Sequence, residues 1–130
     1  MQFKENQTIY LQIAERISDE ILLGHYATGA RIPSVREYAA LVEVNANTVM
    51  RSYEFLQTQG IIFNKRGIGF FVAPDAKIKI REYRRNEFLK NELPRFFMQL
   101  YTLHIPMDEI DSMYREFIEN LTSNSSNQAS

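Results

Sequence analysis

The sequence predicts a mainly α-helical chain with one small β-hairpin, and three observations support this prediction. Ser34 and Glu37 stand three residues apart in front of a helical apolar pattern, which is the spacing of a capping box. A second helical pattern begins after a three-residue break and ends at Gly60, a residue type that often terminates helices. Two β-rich runs, 61–63 and 70–72, then flank a loop with two glycines. Helix, turn, helix and hairpin in this order are typical of a winged helix-turn-helix.

A long first helix is expected from the apolar pattern that includes Ile9 and Leu22, with Gly24 ending it. Isoleucines recur at every fourth position and form a broad apolar face opposite a polar one. They are Ile9, Ile13, Ile17 and Ile21. We interpret this face as core, with a partner-binding surface as the alternative. After the helix, a loop leads to a short extended segment, 31–32, that we expect to pair with the hairpin.

Both helices of the turn begin at residues suited to capping. Val35 follows the Ser34 cap, and apolar residues recur after it at helical spacing up to Val42. Asn45 is a good N-cap for the second helix, in which Tyr53 lies on the apolar face. The segment between the two helices is short enough for a helix-turn-helix.

Two further helices are predicted beyond the hairpin. One extends from Lys77 to about Ile105, and Pro94 marks either a kink or a break in it. The other starts at Met107, directly after Pro106. Both carry many aromatic and aliphatic residues. The chain thus ends in a second helical region.

We predict three regions along the chain: a winged helix-turn-helix over 1–75, a helical dimerisation region over 76–121 and a disordered polar tail over 122–130. Two aromatic-rich helices cannot bury their apolar residues alone, so we expect them to pack against a second copy in a homodimer. The residues predicted to form the dimer interface are Tyr83, Phe88, Phe96, Phe97, Tyr101, Tyr114 and Phe117.

Charge is distributed unevenly along the chain, although the formal net charge is only −1. Residues 30–81 contain eight basic and four acidic residues, which gives this segment +4, while the flanking segments carry −2 and −3. Attraction to phosphate is a local effect that salt screens within about 10 Å at 0.1 M. An acidic total is therefore compatible with DNA binding by the basic segment.

Several function classes are excluded or disfavoured by composition and motifs. The chain has no cysteine and two histidines, His25 and His104, on different segments, so we expect no disulfide and no metal site. No nucleophile elbow or phosphate loop is present, which disfavours an enzyme, and no cofactor is expected. No apolar stretch approaches the roughly 18 residues of a membrane span, so we expect a soluble, cytoplasmic protein without membrane contact.

The second helix of a helix-turn-helix enters the major groove of double-stranded DNA through its N-terminal residues. Asn45, Asn47, Thr48 and Arg51 are placed to reach bases or phosphates. Asn45 has a competing role as N-cap, and Thr48 has a competing role in capping. Arg51 has the alternative of an ion pair with Glu54 or Glu43.

The hairpin carries a cationic tip. Lys65 and Arg66 stand next to Gly67, which allows the main chain to come close to the DNA backbone or the minor groove. Arg31 and Arg36 are further basic candidates, in front of and within the first helix of the turn. For Arg36 the alternative is a surface salt bridge, which stabilises little.

The stretch from about Thr8 to Val72 resembles the DNA-binding domain of the GntR family of bacterial transcription regulators. The residues that carry the resemblance are the first-helix run IYLQIAERI, Gly24, Gly29, RIPSVRE, VNANTV, Arg51, Tyr53, Leu56, Gly60 and RGIGFFV. The resemblance implies a DNA contact by Arg36. Many members carry arginine or proline where this chain has Ala46. This difference would leave base recognition to Asn47, Arg51 and the hairpin, which is the wing of the motif.

The short C-terminal segment resembles that of the YtrA-like subfamily, whose members end in a small helical dimerisation region. This resemblance implies a homodimeric repressor that binds a pseudo-palindromic operator. The alternative is a winged-helix module that binds protein through its aromatic C-terminal helices. RNA binding is disfavoured because no sheet of stacking aromatics is evident. A small-molecule effector is left open, since no residue pattern identifies one.

Overall fold

The computed structural model describes the backbone of residues 8–129 and the side chains of residues 8–125, and it confirms the predicted fold class. The described chain is mainly helical with one antiparallel hairpin. Its elements in order are α1 (Ile9–Leu22), α2 (Val35–Val42), α3 (Ala46–Thr58), β1 (Ile62–Lys65), β2 (Gly69–Val72), α4 (Ala76–Glu87), a π-helical turn (Phe88–Glu92), α5 (Leu93–Thr102) and α6 (Met107–Ala129).

Two compact units divide the chain, the first reaching Arg85 and the second beginning at Asn86. This boundary lies beyond the predicted one at residues 75–76. The reason is that α4 completes the first unit: Ala76 and Ile80 are 0% and 1% exposed within its core. Arg84 adds a charged hydrogen bond of 2.6 Å to Asp19 of α1.

The predicted caps are confirmed. The Ser34 hydroxyl accepts the Glu37 amide at 3.1 Å, and the Glu37 carboxylate accepts the Ser34 amide at 3.2 Å, so the capping box of α2 is complete. These hydrogen bonds lower the pKa of the exposed Glu37 carboxyl. The side-chain oxygen of Asn45 accepts the Asn47 amide at 2.8 Å and caps α3.

The first unit is organised around α3, which packs against α1, α2 and β1. Val49, Tyr53 and Leu56 of α3 are fully buried, and the isoleucines of α1 that meet them are almost fully buried too. This confirms the core interpretation of α1 for Ile13, Ile17 and Ile21, whereas Ile9 is 46% exposed. Burial of one such side chain contributes about 1.5–3 kcal/mol to stability.

Hairpin register places alternate residues on opposite faces. Ile62 pairs with Val72 and Phe63 with Phe71, and the first of these pairs is buried in the core. The strands are longer than predicted, so the turn consists of residues 66–68 alone. The predicted extended segment before α2 is confirmed: Arg31 bridges Phe71, and the Ile32 amide donates to the Phe70 carbonyl at 3.0 Å.

In the second unit, Pro94 is accommodated by a π-helical turn. The Leu93 amide donates to the Phe88 carbonyl, five residues earlier, instead of four. Proline in a regular α-helix clashes with the carbonyl four residues before it, and a wider turn relieves this clash. The helical backbone therefore continues through Pro94: the π-helical turn follows α4 directly, and α5 follows that turn and ends at Thr102.

The final helix is longer than predicted. α6 begins at Met107 as expected but runs to Ala129, whereas the sequence predicts a disordered tail from Thr122. No glycine or proline interrupts this stretch, and the Thr122 hydroxyl donates back to the Ile118 carbonyl at 3.1 Å. Ser130 lies outside the described residues. Among residues 8–129, no helix has the length and apolarity to cross a membrane.

A strained residue forms the turn between α2 and α3. Glu43 has φ 57° and ψ 48°, which is left-handed backbone that a residue with a side chain rarely adopts. The amides of Glu43 and Val44 both donate to the Ala39 carbonyl, so the conformation ends α2. The chain then reaches the Asn45 cap, after which α3 begins at Ala46.

We expect Glu43→Gly to stabilise the protein by about 0.5–1 kcal/mol, because glycine adopts this conformation without steric cost. Ala40→Gly is the matched control at an exposed position within α2, and it should destabilise by about 1 kcal/mol. The free energy of unfolding in urea measures both. Equal destabilisation by the two variants would contradict the strain at Glu43.

Candidate nucleic-acid interface

The N-terminus of α3 presents three of the predicted DNA-contacting residues together. Asn45 uses its side-chain oxygen in the cap, which leaves its amide group available as a donor. Thr48 is half-buried and does not cap the helix; its amide donates to the Asn45 carbonyl at 3.0 Å. Asn47 is exposed, and its side chain is hydrogen-bonded to none of the described residues. Asn47 is thus the polar side chain here with most freedom to bind a base edge.

Arg51 lies farther along α3 and stacks on an aromatic ring. Its guanidinium carbon is 4.2 Å from the ring centroid of Tyr10 in α1. The alternative predicted for this residue, an ion pair with Glu43 or Glu54, is not formed. The sequence did not predict this contact, because the pairing joins residues distant along the chain.

One face of the hairpin carries a stacked pair of rings with a lysine over them and an arginine beside them. Phe63 and Phe71 stack with centroids 5.7 Å apart, and the Lys65 ammonium lies 4.5 Å from the Phe71 centroid. Arg31, which bridges Phe71, lies beside Gly69: a Cβ atom added there would be 2.8 Å from the Arg31 Nε. Arg31 and Lys65 are therefore brought to the same outer face of the wing.

The tip of the wing is exposed backbone with a positive charge. Arg66 and Gly67 are both exposed, and Gly67 has φ +78°, which favours glycine. No atom lies within 4 Å of a Cβ position at Gly67, so the main chain is open to a large ligand. Such a tip suits close approach to a phosphate backbone or a groove.

Arg36 is exposed in the first turn of α2, and no ion pair holds it among the described residues. The start of α2 is itself well anchored. Arg36 lies within the capping box formed by Ser34 and Glu37, and the buried Tyr53 hydroxyl donates to the Pro33 carbonyl at 2.6 Å. Burial raises the pKa of Tyr53. Arg36 thus extends from a rigid helix end.

The cations of the candidate interface take part in no ion pair within the described residues. The ion pairs within residues 8–125 are Arg16–Glu20, Lys79–Glu82, Arg84–Asp19 and Arg115–Asp111. None includes a predicted DNA-contacting residue. Arg31 is close enough to Glu37 to lower the pKa of that carboxyl by its charge, without an ion-pair contact. The predicted contacts therefore keep their positive charges available for phosphate.

A carboxylate within the first unit ties α1 to α2. Glu20 accepts a hydrogen bond from the Tyr38 hydroxyl at 2.8 Å, and Arg16 pairs with it at 3.2 Å. Burial, followed by the interaction with Glu20, raises the pKa of Tyr26 to about 12. The same causes raise the pKa of Tyr38. This network supports the placement of α2 and was not predicted from the sequence.

The predicted dimerisation residues fall in two groups. Six of them are exposed in the second unit: Phe88, Phe96, Phe97, Tyr101, Tyr114 and Phe117. Tyr83 belongs to the first unit, where its half-buried ring contacts Phe55 with centroids 5.2 Å apart. Its role at a dimer interface stays a prediction.

No group of three or more metal-binding side chains occurs in the part of the chain that the structure describes.

A helix-turn-helix followed by a basic wing is the architecture of DNA-binding transcription regulators, and it indicates that class for this chain. The comparisons with known proteins identify the family within this class.

The profile of the bacterial regulatory proteins of the gntR family matches residues 9–72. The HTH-type transcriptional regulator YhcF of Bacillus subtilis is 32% identical over 118 residues, which are 91% of this chain and 96% of YhcF. The transcriptional repressor YtrA of the same organism is 27% identical, covering 87% of this chain and 86% of YtrA.

A solved GntR-family structure from Bacteroides thetaiotaomicron is 62% identical, with a TM-score of 0.77, over 87% of this chain and 98% of that one. The chain belongs to the GntR family and is similar to its short YtrA-type regulators. It is accordingly a transcriptional regulator with a DNA-binding helix-turn-helix domain, not an enzyme.

The Glu20 network predicts a loss of stability at alkaline pH. Folded Tyr26 keeps its proton up to a pKa of about 12, while the unfolded chain loses it near 10. Its contribution to stability is therefore complete below pH 10 and declines as pH rises from 10 through 12. Urea unfolding at several pH values measures this decline, and Tyr26→Phe should make it shallower. A free energy of unfolding that stays constant across this range would contradict the prediction.

Proposed function

We propose that the chain is a homodimeric repressor that occupies a pseudo-palindromic DNA operator and contacts it through α3, the start of α2 and the wing. One observation carries the contact assignment: Arg31, Arg36, Arg51, Lys65 and Arg66 are exposed and free of ion pairs within the described residues. Elsewhere in the described chain, Arg16, Lys79, Arg84 and Arg115 pair with acids. Lys77, Arg81 and Arg85 of α4 are also unpaired among the described residues, but they lie outside the helix-turn-helix and the hairpin, so position in the motif and free charge together support the assignment.

Repression is supported by similarity to YtrA, which is itself a transcriptional repressor. A bound dimer that covers a promoter would exclude other proteins from it, and no further activity is required of the chain. Two-fold symmetry of the dimer would match two half-sites separated by about one or more helical turns.

Dimerisation is supported by the lack of a core in the second unit. Leu100 is the one large apolar residue buried there among those described, while Phe97, Tyr101 and Phe117 are 48%, 78% and 59% exposed. Exposed aromatic side chains at this density are typical of an interaction surface. A second copy would cover the same surface on both chains, as in a two-fold interface.

Selection of bound duplexes from random-sequence DNA tests the whole proposal. We expect one enriched motif made of two inverted half-sites. Enrichment of a single half-site would contradict the dimer, and absence of any enriched motif would favour the protein-binding alternative.

Arg36→Ala should lower affinity for the selected duplex at least about tenfold, because a charged contact from a rigid helix end is lost. Arg81→Ala removes an exposed arginine outside the proposed interface and is the matched control. Fluorescence anisotropy measures both affinities, and thermal unfolding shows whether the fold is retained.

The wing residues are expected to contact phosphates of any sequence, in contrast to Arg36. Replacing Lys65 and Arg66 with glutamine should weaken binding to selected and unrelated duplexes alike, and should reduce the salt dependence by about one unit of slope per lost phosphate contact. An unchanged slope would count against the wing, and unchanged affinity of Arg36→Ala would count against α2.

Phe97→Glu should convert the dimer to a monomer, because burying an unpaired carboxylate in an apolar interface is strongly unfavourable. Lys77→Glu, at an exposed position of α4, is the control and should stay dimeric. Sedimentation velocity at several concentrations distinguishes the two states. A dimer that persists in Phe97→Glu would remove α5 from the interface.

A further inference from the structure

A row of aromatic contacts lies behind Arg51 in the first unit. The guanidinium stacks on Tyr10 at 4.2 Å, the Tyr10 ring meets Phe55 edge-on at 6.5 Å, and Phe55 meets Tyr83 edge-on at 5.2 Å. The row joins α1, α3 and α4, which are distant in sequence. Arg51 is its exposed end.

Tyr10 is held from two sides. Its ring is half-buried against Phe55, and its carbonyl accepts a hydrogen bond of 2.6 Å from the Ser52 hydroxyl of α3. Ser52 is itself fully buried, so this bond is shielded from water. The ring beneath Arg51 therefore has a defined position relative to α3.

Stacking and hydrogen bonding use different parts of a guanidinium. The ring face contacts the π surface of the planar group, while the five N–H donors lie in its plane and remain able to bind a base or a phosphate. A stacked arginine also has fewer rotamers to lose on binding, which raises affinity without adding a contact. Neither advantage follows from an ion pair with Glu54, which would occupy the donors.

We propose that Tyr10 is a positioning residue for DNA recognition: its ring fixes the Arg51 guanidinium on the outer side of α3, ready to donate in its plane. The inference rests on the proposed function, because it requires Arg51 to contact the operator. Tyr10 itself touches no DNA in this scheme, and it acts through Arg51 alone.

Binding to the duplex enriched by the wild-type chain tests the inference. Tyr10→Leu keeps an apolar side chain against Phe55 but removes the ring, and it should lower affinity for that duplex about two- to fivefold. Affinity for a scrambled duplex of equal length should not change. Tyr10→Phe retains the ring and should bind like the wild type. Thermal unfolding shows whether Tyr10→Leu is folded, and Tyr10→Met is used in its place if it is not.

Combination with Arg51→Ala separates positioning from general packing. Arg51→Ala should lower specific affinity more than Tyr10→Leu does, and the double variant should bind no more weakly than Arg51→Ala alone. Additive losses, or equal losses for selected and scrambled duplexes, would overturn the inference and leave the proposed function intact. Unchanged specific binding by Arg51→Ala would overturn both the inference and the assignment of Arg51 as a DNA contact.

A measurement without DNA tests the stack directly. The Arg51 Nε–H resonance in an NMR spectrum of the full chain should be shifted by the Tyr10 ring current, and Tyr10→Leu should abolish this shift while Tyr10→Phe retains it. A resonance that is the same in all three chains would overturn the inference even if no duplex is enriched.

Discussion

The first unit depends most on the burial of Tyr53. This residue of α3 is fully buried, its hydroxyl donates to the Pro33 carbonyl at 2.6 Å, and its ring packs edge-on against Phe70 at 5.0 Å. One side chain thereby joins α3, the segment before α2 and the second strand of the wing. A buried hydroxyl without a partner would cost about 1–3 kcal/mol, so the Pro33 carbonyl is an obligatory acceptor. The three elements that carry the proposed DNA contacts share this anchor.

Around this anchor, acidic and basic groups have different tasks. Glu20 faces inward and binds Tyr38, while Glu37 completes a helix cap, so both acids are used in shaping the scaffold. The cations at 31, 36, 51, 65 and 66 face outward without ion pairs among the described residues. A chain with a net charge of −1 can therefore present a positive surface, because the field at short range depends on local groups.

The two units differ in how much of their apolar surface they bury. The first buries a continuous apolar core that includes α4 up to Ile80, and it has what an independent winged helix-turn-helix requires. The second exposes most of its aromatic residues, among them Tyr101 and Tyr114. Apolar surface of this kind stabilises a protein only when it is buried away from water. The second unit is therefore suited to assembly with another chain.

The sequence alone determined the local features of this protein: the capping box at Ser34, the cap at Asn45, the end of α3 before Gly60 and the hairpin. Each depends on interactions between residues a few positions apart, which spacing reveals. It also determined the candidate basic residues, since charge and order along the chain are directly readable. The extent of α6 was misjudged because polar residues without glycine or proline permit a helix as well as a disordered tail.

Only the tertiary structure decided what each candidate contacts. The stack of Arg51 on Tyr10, the placement of Arg31 beside Gly69 and the inclusion of α4 in the first unit all join segments distant in sequence. Such pairings depend on how helices pack against one another, and hydrophobic periodicity gives the face of a helix but not its partner. For this reason the sequence predicted which residues could bind DNA, and the packing of α1 against α3 decided how one of them is held.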